Sequence, residues 1–399
     1  MHDKRKLSVI DVTLREAEKA PGIYFSAERK VEIARVLAEL GVRWVELGNP
    51  AADPDLDRAI TRVAKAGVGA TVGACIRPRL DDVKQALSCG VGLLSTTLSA
   101  WPERLKLQYE LEPQAAQAQV FEAVAFARSQ RKDLLLRHSI EDIADAPIDH
   151  IAQVAKTALK AGADIIGLVD GTGRLSPFAP GAVRAETILR ELKARLGPQA
   201  AQARFSIECR NDLGLALANT LDALANGAEF ANTSILGLGE GAGGTDLVEL
   251  LVNLRETFDA AEDMRFFVLN RLYNLVSRYS RRIINFNHPL VGHCAFTHYS
   301  GVHVKAVRED PTLYQSLDPD DVGRGWSLAL GPQSGRASIE LALELVERHD
   351  LAIDKDLVAD ILDEVKARGK SGGAIELGQA FLGIVWRCEQ RRRRIKKSA

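Results

Sequence analysis

The chain of 399 residues is poor in cysteine, in net charge and in long apolar runs, and each scarcity removes a class of protein. Five cysteines, Cys75, Cys89, Cys209, Cys294 and Cys388, are few, scattered and odd in number. That pattern excludes a disulfide scaffold and fits a reduced, cytoplasmic protein in which no disulfide is expected. A formal net charge of -1 supplies no overall field to draw the chain to nucleic acid or to an anionic membrane. No apolar run approaches the about 18 residues of a membrane span. The opening Met1-His2-Asp3-Lys4-Arg5-Lys6 also lacks the apolar core of a secretion signal. The reading is a soluble intracellular protein whose partners include neither nucleic acid nor membrane.

What is present is core-forming material and a repeat. With 46% hydrophobic and 26% charged residues, the chain can bury a large core and is too long for one minimal domain. Five times a helical pattern ends in glycine followed by Val or Ala and a short apolar run: Gly41-Val42, Gly67-Val68, Gly90-Val91, Gly162-Ala163 and Gly227-Ala228. Such a glycine suits the left-handed turn after a helix, and the run after it suits a parallel strand buried on both faces. The helix after Ser26 carries Ile33, Val36, Leu37 and Leu40 on one stripe, with Ser26 as its N-cap. Strands are expected near residues 9–14, 44–47, 70–76, 92–97, 134–139, 164–170, 205–210 and 230–235. Eight strands alternating with helices predict a (β/α)₈ TIM barrel over residues 1–262, with a doubly wound open sheet as the alternative. A linker and subdomain over 263–345 and a helical segment with a basic tail over 346–399 complete the expected layout, making the C-terminal part small and mainly helical.

In a barrel, chemistry sits at the C-terminal strand ends. Polar residues fall there: Arg15 and Glu16 after the first strand, Glu46 on the second, Arg77 and Arg79 after the third, Arg137 and Ser139 on the fifth, Asp170 on the sixth, and Glu208 and Arg210 on the seventh. Singly, each is as well explained as a rim residue in a salt bridge. Together they predict a polar mouth for an anionic substrate, with arginines to clamp carboxylates.

Several ordered motifs carry a resemblance. Asp11-Val12-Thr13-Leu14-Arg15-Glu16 resembles the opening signature of the homocitrate synthase and isopropylmalate synthase family, the DRE-TIM metallolyases, with Ala17 and Lys19 in place of the usual Gly and Gln. Arg137-His138-Ser139-Ile140-Glu141-Asp142 is similar to its Arg-x-Ser-x-Glu-Asp segment. Asp170-Gly171-Thr172-Gly173 is similar to its Asp-Thr-x-Gly turn, with Thr172 moved by one position, and Arg79 stands where some homocitrate synthases carry His. Further on, Ser300-Gly301-Val302-His303 and Asp310-Pro311-Thr312-Leu313-Tyr314 resemble the family's subdomain, so that the likeness spans residues 7 to 345.

The resemblance implies a Claisen condensation of an acyl-CoA, acetyl-CoA first of all, with a 2-oxo dicarboxylic or related 2-oxo acid. It implies that Arg15 polarises the oxo acid, Glu16 binds a divalent metal, and Arg137, Ser139 and Thr172 contact substrate. It further implies a homodimer with shared active sites, His303 and Tyr314 assisting acyl transfer in the partner's barrel. The chain ends too soon for the regulatory domain of leucine-inhibited isopropylmalate synthases and is closest to the short homocitrate synthase type.

One departure stands out. Where the family reads His-x-His before Asn-Asp, and Asn at the end of a later glycine loop, this chain has Glu208, Arg210 and Gly244. Arg210 has no lone pair to offer a metal. Residues two apart on a strand point the same way, so Arg210, held between Glu16 and Glu208, is one expected substitute for the ion. The alternatives are a metal kept through Glu16, Glu208 and water, or a plain salt bridge in a silent ligand-binding paralogue. A carbon-carbon lyase of the same superfamily is a further alternative function. Arg391 to Arg394 with Lys396 and Lys397 read as a solvated tail, Lys370-Ser371-Gly372-Gly373 as a flexible loop, and His288 and His293 as linker residues without a metal.

Overall fold

The repeat glycines act as the sequence predicts. Helix Ala27–Leu40 begins at Ser26, whose hydroxyl accepts from the Arg29 amide, and ends at Gly41 with φ 115°, its amide reaching back to the Ala38 carbonyl at 3.0 Å. Gly162 closes helix Ile148–Ala161 in the same way at φ 105°. Only a residue without Cβ adopts such angles freely. Ile33, Leu37 and Leu40 are buried by that first helix, and Val36 is half-buried at the edge of the stripe.

In the computed structural model, which describes residues 7–348 and 354–398, each of the five repeat glycines delivers the chain into one of eight strands. These are β1 (Ser8–Asp11), β2 (Trp44–Leu47), β3 (Thr71–Ile76), β4 (Leu93–Ser99), β5 (Leu135–Glu141), β6 (Ile165–Asp170), β7 (Arg204–Cys209) and β8 (Phe230–Thr233). Each pairs in parallel with the next. β8 returns to β1, Ser8 opposite Phe230 and Asp11 opposite Thr233, so the sheet is a closed TIM barrel and not an open doubly wound sheet. Its lower interior is apolar: Ile10, Leu93, Ile165 and Phe230 pack together, with Trp44 meeting Phe230 edge-on at 5.5 Å. Alternation along β5 then sends Arg137, Ser139 and Glu141 to one face and His138 to the other. There the His138 ring is fully buried, with Nδ1 2.8 Å from the Thr96 hydroxyl. Burial drives its pKa down to about 3, so it is a neutral packing group.

The first compact unit runs through Ile284, past the boundary at 262, because helix Leu269–Ser280 packs on Ala27–Leu40. Arg271 pairs with Glu39, and Tyr279 donates to Glu32. From Asn285 onward a second unit holds β9 (Thr297–His298), β10 (Ser327–Leu330) and β11 (Ile375–Glu376) in the order β11-β10-β9, with helices around them. Val304, Leu330 and Ile339 share one core with Ile361, Phe381 and Val385, so the segments 263–345 and 346–399 are not separate bodies beyond residue 284. Lys370 to Gly372 form the last turn of helix Lys355–Gly372 rather than a flexible loop. The basic tail is helical and its arginines are paired, Arg391 with Glu364, Arg392 with Asp354 and Arg393 with Glu389; the side chains of Lys396 and Lys397 lie outside the described residues. All five cysteines are free, and among the described residues no helix is long and apolar enough to cross a membrane.

Candidate active site

β1 hands over to a short helical turn, Thr13–Glu16, and Asp11 makes the corner. Its carboxylate accepts from the Thr13 amide and hydroxyl, both at 3.0 Å, while the Thr13 hydroxyl accepts from the Ile235 amide at 2.9 Å. Burial pushes the Asp11 carboxyl up to about 7, against the lowering effect of those hydrogen bonds. The corner presents Arg15 and Glu16 at the C-terminal end of β1.

Above the apolar plug, five side chains from five strand ends form a closed polar ring. The Arg137 guanidinium, fully buried, donates to Ser95 Oγ at 3.0 Å, Asn232 Oδ1 at 2.7 Å and Glu46 Oε2 at 2.5 Å. The other oxygen of Glu46 lies 3.3 Å from Arg15 Nε. Arg15 Nη2 reaches both oxygens of Glu208, at 2.9 and 2.8 Å, and Asn232 Nδ2 donates to Glu208 at 2.6 Å, which returns the circuit to Arg137. Burial alone would raise the Glu208 carboxyl, but the charges of Arg15, Lys19 and Arg137 outweigh it and hold it down at about 2.

The structure does not put Arg210 between Glu16 and Glu208. β7 ends at Cys209, so the same-side rule of a strand no longer applies; Arg210 instead bridges to Gly244 and turns to Asp212 at 3.3 Å and Glu240 at 3.5 Å. The cation beside Glu16 is Lys19, its Nζ 2.7 Å from Glu16 Oε1. Lys19 follows Glu16 by three residues through consecutive helical turns, which stack such residues on one face.

The remaining candidates divide. Glu46 and Ser139 lie in the barrel mouth and are buried, and Glu141 joins them, accepting from Thr97 Oγ1 at 2.9 Å. Burial raises the Glu141 carboxyl, and its second oxygen has no hydrogen-bond partner. Arg77 is tied bidentately to Asp82 at 2.8 and 2.9 Å, and Arg79 is exposed at the start of the helix Leu80–Ser88. The Thr172 hydroxyl donates to Asp145 at 2.8 Å, while Asp170 accepts from the amides of Arg174 and Leu175 and shapes that loop. In the second unit, His303 and Tyr314 are exposed and stacked on each other, ring centres 4.1 Å apart. His288 contacts the Pro289 carbonyl and His293 contacts Glu376. Sequence reasoning missed Ser95, Asn232, Lys19 and Glu141 as site residues. Lys19 carried a visible signal, as a charged residue where the family has Gln, and Glu141 another, as the Glu of the Arg-x-Ser-x-Glu-Asp segment.

The glycine loop is tight. Gly243 has φ 75°, and a Cβ there would stand 1.8 Å from the Gly237 carbonyl oxygen. The Gly244 amide closes the loop on that same carbonyl at 3.0 Å. A pocket beside it is lined by Glu16, Glu208, Arg210, Asn232, Gly239 and Gly244.

The donor set at the family's metal position does not fit a divalent ion. Gly244 has no side chain, Arg210 no lone pair, and Glu208 spends both oxygens on Arg15. Glu16 remains, with Arg15 Nε at 3.2 Å and Lys19 Nζ at 2.7 Å from one oxygen.

Known proteins agree with this architecture. The HMGL-like family model matches residues 6–276, and the model described as homocitrate synthase post-HMGL domain-like matches residues 290–372. Homocitrate synthase AksA of Methanothermobacter thermautotrophicus is 30% identical over 95% of this chain and 93% of its own. The probable 2-isopropylmalate synthase of Ignicoccus hospitalis is 31% identical over 99% and 95%. Among solved structures, the HMG-CoA lyase of Bacillus subtilis superposes with a TM-score of 0.60 at 18% identity, covering 70% of this chain and 95% of that one, a likeness of fold.

Proposed function

The chain belongs to the HMGL-like family, and we propose from that premise that it is a homocitrate synthase-like acyltransferase, condensing an acyl-CoA, acetyl-CoA first, with a 2-oxo acid and without a divalent metal. The observation that carries this reading is the ring of Arg15, Glu46, Arg137, Glu208 and Asn232. It fixes a charged floor at the C-terminal mouth of the barrel, where barrel enzymes do their chemistry. The synthase names borne by relatives aligned over nearly the whole chain support the reaction class.

In this reading the ring orients the site. Glu141, facing the mouth with a raised pKa and with one oxygen that accepts no hydrogen bond and lies 3.6 Å from Arg104 Nη2, takes a proton from the methyl group of the thioester. The resulting enolate carbon bonds to the carbonyl carbon of the oxo acid, whose π pair moves to oxygen as an alkoxide. Water then cleaves the thioester, releasing the CoA thiol and a second carboxylate. Arg137 acts as a positioning residue, enclosed by Ser95, Asn232 and Glu46, so the substrate carboxylate is met by groups higher in the mouth. His303 and Tyr314 serve the barrel of a partner copy in a homodimer.

The test is thiol release from acetyl-CoA with glyoxylate, pyruvate, 2-oxoisovalerate, oxaloacetate and 2-oxoglutarate, in EDTA and again with added magnesium or manganese. Release with one oxo acid that survives EDTA is the expected result. Release only with added metal overturns the metal-free clause, and no release with any pair overturns the reaction.

A further inference from the structure

We infer that the ammonium group of Lys19 is the electrophilic cation of this site, binding the carbonyl and carboxylate oxygens of the 2-oxo acid and giving its proton to the alkoxide formed there. The inference rests on the reaction proposed above and deepens it.

Arg15 gives Nη2 to both oxygens of Glu208 and turns Nη1 to the Cys75 sulfur at 3.4 Å. Arg137 is enclosed by three protein acceptors, Arg210 faces Asp212 and Glu240, and Arg77 faces Asp82. Lys19 differs. Its side chain is 46% exposed, so a ligand can reach it, and Glu16 Oε1 at 2.7 Å engages only one side of a group that carries three protons.

A second observation points to the same spot. Glu16 Oε1 and Arg15 Nε are both buried without a well-aligned hydrogen bond, although Arg15 Nε lies 3.2 Å from that oxygen and Lys19 Nζ 2.7 Å from it. Glu16 is itself 9% exposed. A ligand oxygen arriving at Lys19 therefore enters beside an unsatisfied buried donor as well as a free ammonium face. Charge-assisted hydrogen bonds of this kind are the strong ones, and here they would meet the oxygen on which negative charge develops.

Charge balance gives the sign of the effect. Glu16, Glu46 and Glu208 are matched by Arg15, Arg137 and Lys19. Without Lys19 the cluster carries an uncompensated negative charge and repels an anionic oxo acid. Condensation then balances: the enolate carbon bonds to the carbonyl carbon, the π pair goes to oxygen, that oxygen takes a proton from Lys19, and the proton held by Glu141 restores the ammonium.

The test uses the full chain, extensively treated with EDTA, and oxalate as a probe, which presents a carboxylate beside a second carbonyl-type oxygen as every 2-oxo acid does. Calorimetry is expected to show oxalate binding to the wild type in EDTA. Binding should fall at least tenfold in Lys19→Gln, which restores the family's residue, and be retained within about threefold in Lys19→Arg. Thermal melting of both variants checks that they fold. Equal oxalate affinity in wild type and Lys19→Gln overturns the inference, as does binding that appears only when magnesium or manganese is added. Borohydride trapping of an oxo acid on Lys19 also overturns it, since that outcome makes the lysine a covalent amine. Lys19-dependent oxalate binding without thiol release would remove the condensation but keep the cation. Chelator-resistant thiol release indifferent to Lys19→Gln would do the reverse.

Discussion

Glu208 changes what its neighbours are free to do. A neutral imidazole at that position would leave Arg15 Nη2 without its carboxylate; Glu208 instead meets that one nitrogen with both oxygens. Because Arg210 turns away from this contact, Arg210→Ala should alter the rate of thiol release by less than about threefold, and a loss of two orders of magnitude would return Arg210 to the site. Arg137→Met should behave differently. It removes a fully buried cation and leaves Glu46 and Asn232 without their partner, a class of change that costs about 3–5 kcal/mol, readable as a lowered urea midpoint. Two buried groups also predict opposite responses to pH. Asp11, raised to about 7 from 3.8, binds a proton more tightly folded than unfolded, so its contribution is present at pH 4 and lost as pH rises through 7. His138, lowered to about 3 from 6.5, stays neutral while the unfolded ring protonates, so its contribution is present above pH 6.5 and lost as pH falls toward 3. Between pH 5 and 6.5 the two oppose each other. Urea unfolding of Asp11→Asn should therefore show stability rising with pH over that window, and of His138→Gln stability falling, each by up to about 1.4 kcal/mol per pH unit. Parallel slopes in the two variants would contradict both assignments.

Elements were legible where one local signal sufficed. A glycine after a helix and an apolar run after the glycine located five of the eight barrel strands, because both cues lie within a few residues of what they specify, and the apolar runs between those repeats gave the other three. The unit boundary was not legible, since helix Leu269–Ser280 belongs to the first unit through contacts with Glu32 and Glu39, far earlier in the chain. The site was half legible for the same reason. Arg15, Glu16, Glu46, Arg137 and Glu208 could be placed at strand ends, but the Arg15–Glu208 pairing joins residues 193 positions apart and only the closed barrel brings them together. Arg210 failed on a margin of one residue, as the strand stops at Cys209. The glycine loop after β8 makes an element-scale prediction. Gly243→Ala puts a Cβ 1.8 Å from the Gly237 oxygen at φ 75°, whereas Gly22→Ala is strained by φ 81° but meets nothing within 4 Å. Thermal unfolding should show the first destabilised by well over about 1 kcal/mol and the second by less, and equal losses would mean the loop opens without resistance.

At the scale of the molecule, the proposed homodimer makes complementation the informative measurement. If His303 serves the partner's barrel, Arg15→Ala and His303→Ala, each inactive alone, should recover about a quarter of wild-type activity when unfolded and refolded together, since half the dimers then contain one intact site. No recovery, or a monomer by light scattering at micromolar concentration, would count against shared sites. The polar ring has a consequence for how such a sequence changes over time. It links five strands through one continuous circuit, so its members are epistatic. Glu208→His alone would strip Arg15 Nη2 of its carboxylate and Asn232 of its acceptor while Lys19 still occupied the oxygen of Glu16. The histidine would gain no metal in return. Reversion must therefore pass through an intermediate poorer than either end, and the present arrangement holds like a ratchet.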